Sequence, residues 1–238
     1  MKATGCTHVG YHRKNNEDAF LVDPSQGVFA VADGMGGHLA GEIASQAAIG
    51  YLRNQINLRE MDASVIFDAI NQLILRLSQD NENCRGMGTT LTLARIRKDS
   101  LEVAHTGDSR AYLIRGQHIS QLTTDHTMVN ELLKVEEITP EEAAEHPYKH
   151  VLSRALGVED KVEADKTILL LEEGDRILLS TDGLHGLLPD EEILGLAITH
   201  TELDTLAEIL LQRALENGGN DNITLVVIHY TGENGEQA

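Results

Sequence analysis

Tryptophan is absent, and only three Phe and five Tyr occur in 238 residues. That leaves little with which to build a base-stacking platform for single-stranded nucleic acid. Basic residues are scarce too: 19 Lys and Arg against 38 Asp and Glu, a formal net charge of −19. Binding to a nucleic-acid backbone or an anionic membrane needs Lys and Arg to displace counterions, so neither partner is expected. Cys6 and Cys84 are the only cysteines. Two thiols in a chain of this length fit a reducing compartment better than a disulfide framework. No apolar run approaches the length needed to cross a bilayer. The opening Met-Lys-Ala-Thr-Gly-Cys has no apolar stretch of the signal-peptide kind. These absences predict a soluble, cytoplasmic protein.

What is present is a sizeable potential core, with 41 % apolar residues. No Pro/Gly/Ser-rich linker or internal repeat divides the chain, so residues 1–230 read as one domain and 231–238 as a loose polar tail. The run Gly27–Ala32 reads as a buried strand. Apolar residues then recur at helical spacing, first through Ile43, Ala44, Ala47, Ala48, Tyr51 and Leu52, then through Val65, Ile66, Ala69, Ile70, Leu73 and Leu77. Strands follow over 89–96, 101–106 and 111–114, the last two joined as a hairpin through Gly107-Asp108-Ser109. Further strands are expected over 168–171, 177–180 and 223–230, with a helix through Leu203–Ala214 before the last. Residues 125–157 are polar and His-bearing and read as a surface flap. Within it Thr139-Pro140-Glu141-Glu142 carries the signature of a capped helix start. Hairpin spacing dominates, so the expected fold is α+β: two mostly antiparallel sheets packed together, with helices outside.

Four aspartates share one setting. Asp33 and Asp182 follow strand patterns, Asp108 sits in a turn after one, and Asp221 immediately precedes one. Ionised carboxylates gathered at one place repel each other unless a cation compensates. Oxygen-only donors suit hard ions such as Mg²⁺ or Mn²⁺. Gly34 and Gly183 follow two of these acids, and a residue without Cβ lets backbone approach an ion, so the Gly34 carbonyl is itself a candidate ligand. Against this stands the ordinary reading of Asp-Gly as a turn dipeptide. Two such pairs together with Asp108 and Asp221 make coincidence the weaker account.

Arg13-Lys-Asn-Asn-Glu17-Asp18, Val31-Ala-Asp33-Gly-Met-Gly-Gly-His38, Gly107-Asp-Ser-Arg110, Ser180-Thr-Asp182-Gly-Leu184 and Gly219-Asn-Asp221-Asn222 occur in that order. Together with Asp125-His126 and His150-Val-Leu-Ser-Arg-Ala-Leu-Gly157 they resemble the bacterial branch of the type 2C, metal-dependent Ser/Thr protein phosphatases. The resemblance spans roughly residues 4–230. It implies a four-layer α/β/β/α sandwich, two mostly antiparallel sheets flanked by helix pairs. It also implies hydrolysis of phosphoserine and phosphothreonine in proteins by a metal-activated water, with two Mn²⁺ or Mg²⁺ ions and room for a third. Asp33 would bridge two ions. Asp182 and Asp221 would complete the first site, and the Gly34 carbonyl would join the second. Glu17 and Asp18 would act through waters, Asp108 with Asp182 would take the third ion, and Arg13 would grip the phosphate. Two cations roughly 3.5–4 Å apart make water acidic and stabilise an in-line phosphoryl transfer, so no Ser or Cys nucleophile is required. Guanidinium is the best planar partner for phosphate oxygens.

Where the eukaryotic branch has His after Asp-Gly, this chain has Met35, which leaves His38 as the candidate general acid. His8 stands where the family has Asp. His146 and His150 have a spacing that zinc sites use, but with no accompanying pair a flap loop is the better reading. His126 and His185 are within reach of a cleft without being required there. Arg110 reads as a structural partner near Asp108, and Cys84, lacking a Cys-x₅-Arg loop, as an ordinary residue. Two other functions fit the same fold: a non-catalytic phosphoprotein-binding module, and a phosphatase of small molecules. Retention of every expected acid argues against the first. The implied partners are phosphorylated protein substrates and a separate Ser/Thr kinase, the protein itself acting as a monomer.

Overall fold

The computed structural model describes residues 1–36, 40–55 and 57–232. In chain order the elements are β1 (Lys2–His8), β2 (Asp18–Asp23), β3 (Val28–Met35), α1 (Ala40–Asn54), α2 (Ala63–Asp80), β4 (Gly88–Thr89), β5 (Leu91–Arg97), β6 (Ser100–Thr106), β7 (Arg110–Arg115) and β8 (His118–Gln121). There follow α3 (Met128–Lys134), α4 (Pro140–Glu145), β9 (Asp165–Leu170), β10 (Arg176–Ser180), α5 (Asp182–His185), α6 (Asp190–Thr199), α7 (Leu203–Glu216) and β11 (Ile223–His229). One sheet has the order β1-β11-β10-β7-β8. The other runs β2-β3-β5-β6-β9, with β4 beside β3.

Strand alternation sorts the core into layers, because successive side chains face opposite sides of a sheet. Phe29 and Val31 meet Ile177, Leu179, Val226 and Ile228 between the two sheets. Val28, Ala30 and Ala32, on the other face of β3, pack on Ala44, Ala48, Ile66 and Ile70 of α1 and α2. Leu225 and Val227 face Leu206, Ala207 and Leu210 of α7, with Ile193 of α6 beside them. The result is the expected α/β/β/α sandwich. Each fully buried Leu, Ile or Phe contributes roughly 1.5–3 kcal/mol.

Three expectations need correction. Ile43 and Val65 are exposed; the inner face of α2 runs instead through Ala63, Ile66, Phe67, Ile70 and Ile74. The segments β6 and β7 do not form a hairpin. β6 pairs with β5 and β9, and β7 with β8 and β10, so Gly107-Asp108-Ser109 crosses from one sheet to the other. Gly107, at φ 110°, makes that crossing where a Cβ would strike Thr90. The 125–157 segment is not all surface: Asp125, His126, Thr127, Val129 and Leu156 are buried. Its helix start is as expected, Thr139 and Glu142 closing a capping box.

Candidate active site

Five of the six acids expected at the site reach the cleft, from separate parts of the chain. Glu17 precedes β2, Asp33 lies near the end of β3, and Asp108 is in the crossing between the sheets. Asp182 opens α5, and Asp221 precedes β11. All five line a single cleft of about 950 Å³, together with Arg13 and Gly34. The 149–162 segment also lines it, through residues that include Lys149, His150, Arg154 and Lys161. Asp18 is not on the wall. It lies buried beneath it, opposite Asp33 in the β2–β3 register, and its Oδ2 accepts a hydrogen bond of 2.9 Å from Thr181.

Several neighbours explain how these groups are held. The Asp33 N–H donates to Thr90 Oγ1 at 2.9 Å, and Thr90 in turn meets Ser109 at 2.7 Å. The backbone thus joins the ends of two sheets through buried hydroxyls. A Cβ on Gly34 would overlap the Gly41 carbonyl oxygen, and one on Gly41 would overlap the Glu17 carboxylate. A Cβ on Gly183 would overlap the Asn222 carbonyl oxygen. Glycine at 34 and 183 is therefore dictated by close backbone approach rather than by an ordinary turn. Arg13, its side chain 55 % exposed, pairs with Asp221 at 2.6 Å.

Burial and mutual repulsion dominate the electrostatics. Asp33 is pushed well above the usual carboxylate range, first by burial and then by Asp18, Asp182, Asp108 and Asp221. Burial, reinforced by Asp182 and Asp125, pushes Asp108 up to about 8. Burial also pushes Asp18 to about 7, against the opposing hydrogen bonds of Thr224 and Thr181. Asp182 is raised by burial and by Asp221. A cluster with every shift in the same direction is one that positive charge would relieve.

The donor set fits hard divalent ions. It consists of oxygen atoms only, and the buried Oδ1 atoms of Asp18 and Asp182 have no hydrogen-bond partner. Among the described residues, no three His, Cys, Asp or Glu side chains already converge as a closed metal cage. Asp221 is turned toward Arg13 instead.

Other residues fall outside the cleft. Arg110 holds Asp125 in a two-pronged contact of 2.6–3.0 Å, as a structural partner would. His126 stacks on His105 at 4.9 Å and accepts the Gly107 N–H. His185 bonds Ser180 at 2.9 Å. Neither His126 nor His185 lines the cleft. Burial pushes the Cys6 thiol up to about 12, away from the thiolate form, and Cys84 is buried in the helix-side core. His38 lies outside the described residues. Sequence reasoning passed over Thr90, Thr181, Gly41 and the structural part of Asn222. Thr181 and Asn222 had a visible signal, each the neighbour of a site aspartate within a quoted motif.

A family model described as Protein phosphatase 2C matches residues 4–134. The protein phosphatase PhpP of Streptococcus pneumoniae serotype 2 is 39 % identical over 248 residues, spanning 99 % of this chain and 100 % of that protein. The crystal structure of the Mycobacterium tuberculosis serine/threonine phosphatase PstP/Ppp superposes with a TM-score of 0.88 at 37 % identity, over 97 % of this chain and 98 % of the other. The catalytic domain of the serine threonine protein phosphatase PstP, solved in complex with 2 manganese ions, is 38 % identical. It covers 95 % of this chain and 96 % of its own length, with a TM-score of 0.83.

Proposed function

The chain belongs to the protein phosphatase 2C family, and from that premise we propose that it hydrolyses phosphoserine and phosphothreonine in proteins by direct attack of water on phosphorus. The observation that carries this reading is the meeting of Asp33, Asp108, Asp182 and Asp221 with Arg13 on one cleft. Asp33, Asp182, Asp221 and the Gly34 carbonyl would hold two divalent ions, Mn²⁺ or Mg²⁺, and Asp108 with Asp182 a third. When bound, such ions make water acidic and offset the charge of the phosphoryl oxygens.

The chain's own groups do the rest. Asp33, Asp182 and Asp221 supply the negative charge that fixes where cations sit. Glu17 on the cleft and Asp18 buried beneath it would act on the ions through bound waters. Arg13 grips the phosphate through its planar N–H fork, a role supported by its exposed position at the cleft mouth. The PstP structure with 2 manganese ions supports a two-ion arrangement here.

Residues 1–230 would work as one catalytic domain, since β1 at one end of the chain pairs with β11 at the other. The 125–157 flap would bear on substrate choice, because part of it lines the same cleft as the acids. Among the described residues no helix is long and apolar enough to cross a membrane. A cytoplasmic monomer opposing a separate Ser/Thr kinase accords with that. Deleting the gene and finding no phosphosite changed in any protein would remove the kinase from this picture.

The direct test is phosphate release from a phosphothreonine peptide with Mn²⁺, then with excess EDTA, alongside Asp33→Ala. Turnover that needs Mn²⁺ and is lost in both controls is the expected result. Preference for nucleotides or sugar phosphates over the peptide would redirect the reading to small molecules. Mn²⁺ binding without turnover of any of these would redirect it to a binding module.

A further inference from the structure

The loop 9–17 carries both Arg13 and Glu17, and one buried amide holds it. Asn222 is 5 % exposed. Its Nδ2 donates to the Val9 and Asn15 carbonyls, each at 2.9 Å, and its Oδ1 accepts the Glu17 N–H at 2.7 Å. Both amide donors and the acceptor are therefore used, and only one orientation of the amide satisfies all three. The same residue's backbone N–H donates to Asp221 Oδ1 at 2.8 Å, and its carbonyl fills the space that Gly183 leaves beside Asp182. Elsewhere the loop meets this segment by Tyr11 N–H to the Gly219 carbonyl at 2.8 Å, and through Gly10, which at φ 76° lies against the Asp221 carbonyl.

We infer that Asn222 is a positioning residue for the phosphate. Its side chain locks the loop bearing Arg13 and Glu17 onto the backbone that presents Asp221, so that guanidinium and carboxylate stay in one register. An aspartate of the same shape would keep the acceptor for Glu17 but lose both donors, and would set a charge against two carbonyl oxygens. A merely structural Asn would lower stability without making the effect of Arg13 depend on it.

The inference rests on the phosphatase reading, and its test separates the two. Wild type, N222A, R13A and the double variant are compared at saturating Mn²⁺ on a phosphothreonine peptide, with inorganic phosphate as competing inhibitor. Each single variant is expected to weaken phosphate inhibition and raise KM by about tenfold, with kcat falling less. The double variant is expected to be no worse than R13A alone, since a loop without its guanidinium has little left to misplace. Effects that multiply, or phosphate inhibition unchanged in N222A, would overturn the inference. Should N222A fail to fold, N222D takes its place in the same cycle with the same expectation. Absence of turnover in wild type would count against the phosphatase reading, whereas wild-type turnover with independent effects would count only against Asn222.

Discussion

Asp33 sits where burial and four neighbouring carboxylates push in the same direction. A carboxylate whose pKa is higher in the folded than in the unfolded protein binds more protons when folded. Its contribution to stability is therefore complete below the unfolded pKa and is lost as pH rises through the folded one. With Asp18 at about 7 and Asp108 at about 8, that loss runs from the ordinary Asp range, near 4, up to about pH 8. Metal-stripped protein should accordingly melt at a lower temperature at pH 8 than at pH 5.5. Added Mn²⁺ should raise the melting temperature more at the higher pH. Calorimetry at the two pH values checks both, and an equal Mn²⁺ effect would argue against ion binding at these acids. At the same scale, Gly183→Ala drives a methyl group into the Asn222 carbonyl. It should cost roughly 1–3 kcal/mol in urea unfolding and more than about tenfold in kcat/KM, because both Asp182 and Asp221 lie on the displaced backbone.

Elements matter here chiefly through where they end. The loop after Leu156 is tied to α2 by the buried Asn71, which donates to the Glu159 carbonyl at 2.9 Å and accepts the Gly157 N–H at 2.7 Å. Gly157 has φ 85° and lies directly against Ile74, so a side chain there would be strained and would have to displace Ile74. Asn71→Ala strands the buried Gly157 N–H and removes the partner of the Glu159 carbonyl, and should cost about 1–3 kcal/mol in chemical denaturation. Because residues 158–162 belong to the cleft wall, the same variant should also raise KM for a phosphopeptide while leaving the Mn²⁺ requirement in place. Steady-state kinetics across a Mn²⁺ titration would read both. The strand β6 offers the complementary lesson. It leaves one sheet and β7 begins in the other, and that crossing puts Asp108 at the seam where Asp33 and Asp182 also emerge.

At the scale of the whole molecule, two sheets joined face to face bring four strand ends to one edge. They also leave a strongly acidic body, with a net charge of −19, around a site for an anionic substrate. Such a field repels negative peptides and attracts positive ones over about a Debye length, near 10 Å at 0.1 M salt. A phosphothreonine peptide flanked by Lys should therefore show a higher kcat/KM at low ionic strength than one flanked by Glu. The gap should shrink several-fold between about 0.01 and 0.15 M salt. A salt-independent ratio would mean that contacts in the cleft, such as those with Lys149 and Lys161, outweigh the overall charge.

Much of this was legible in the chain alone. Strand and helix periods at 27–32, 43–52 and 203–214, the capped start at Thr139 and the order of the Asp-bearing motifs are local patterns. Local patterns survive because each depends on neighbours a few residues away. The acids were legible for the same reason: Asp33-Gly34 and Asp182-Gly183 mark strand ends without any knowledge of what lies opposite. Tertiary structure alone decided the rest. The hairpin expected across Gly107 became a crossing because pairing is chosen by partners such as β9 and β10, some 60 residues away, and no local turn signal encodes that choice. The burial of His126, the exposure of Val65 and the clamp that Asn222 places on residues 9–17 likewise depend on distant segments. A sequence pattern records which side a residue faces; only packing determines what it meets there.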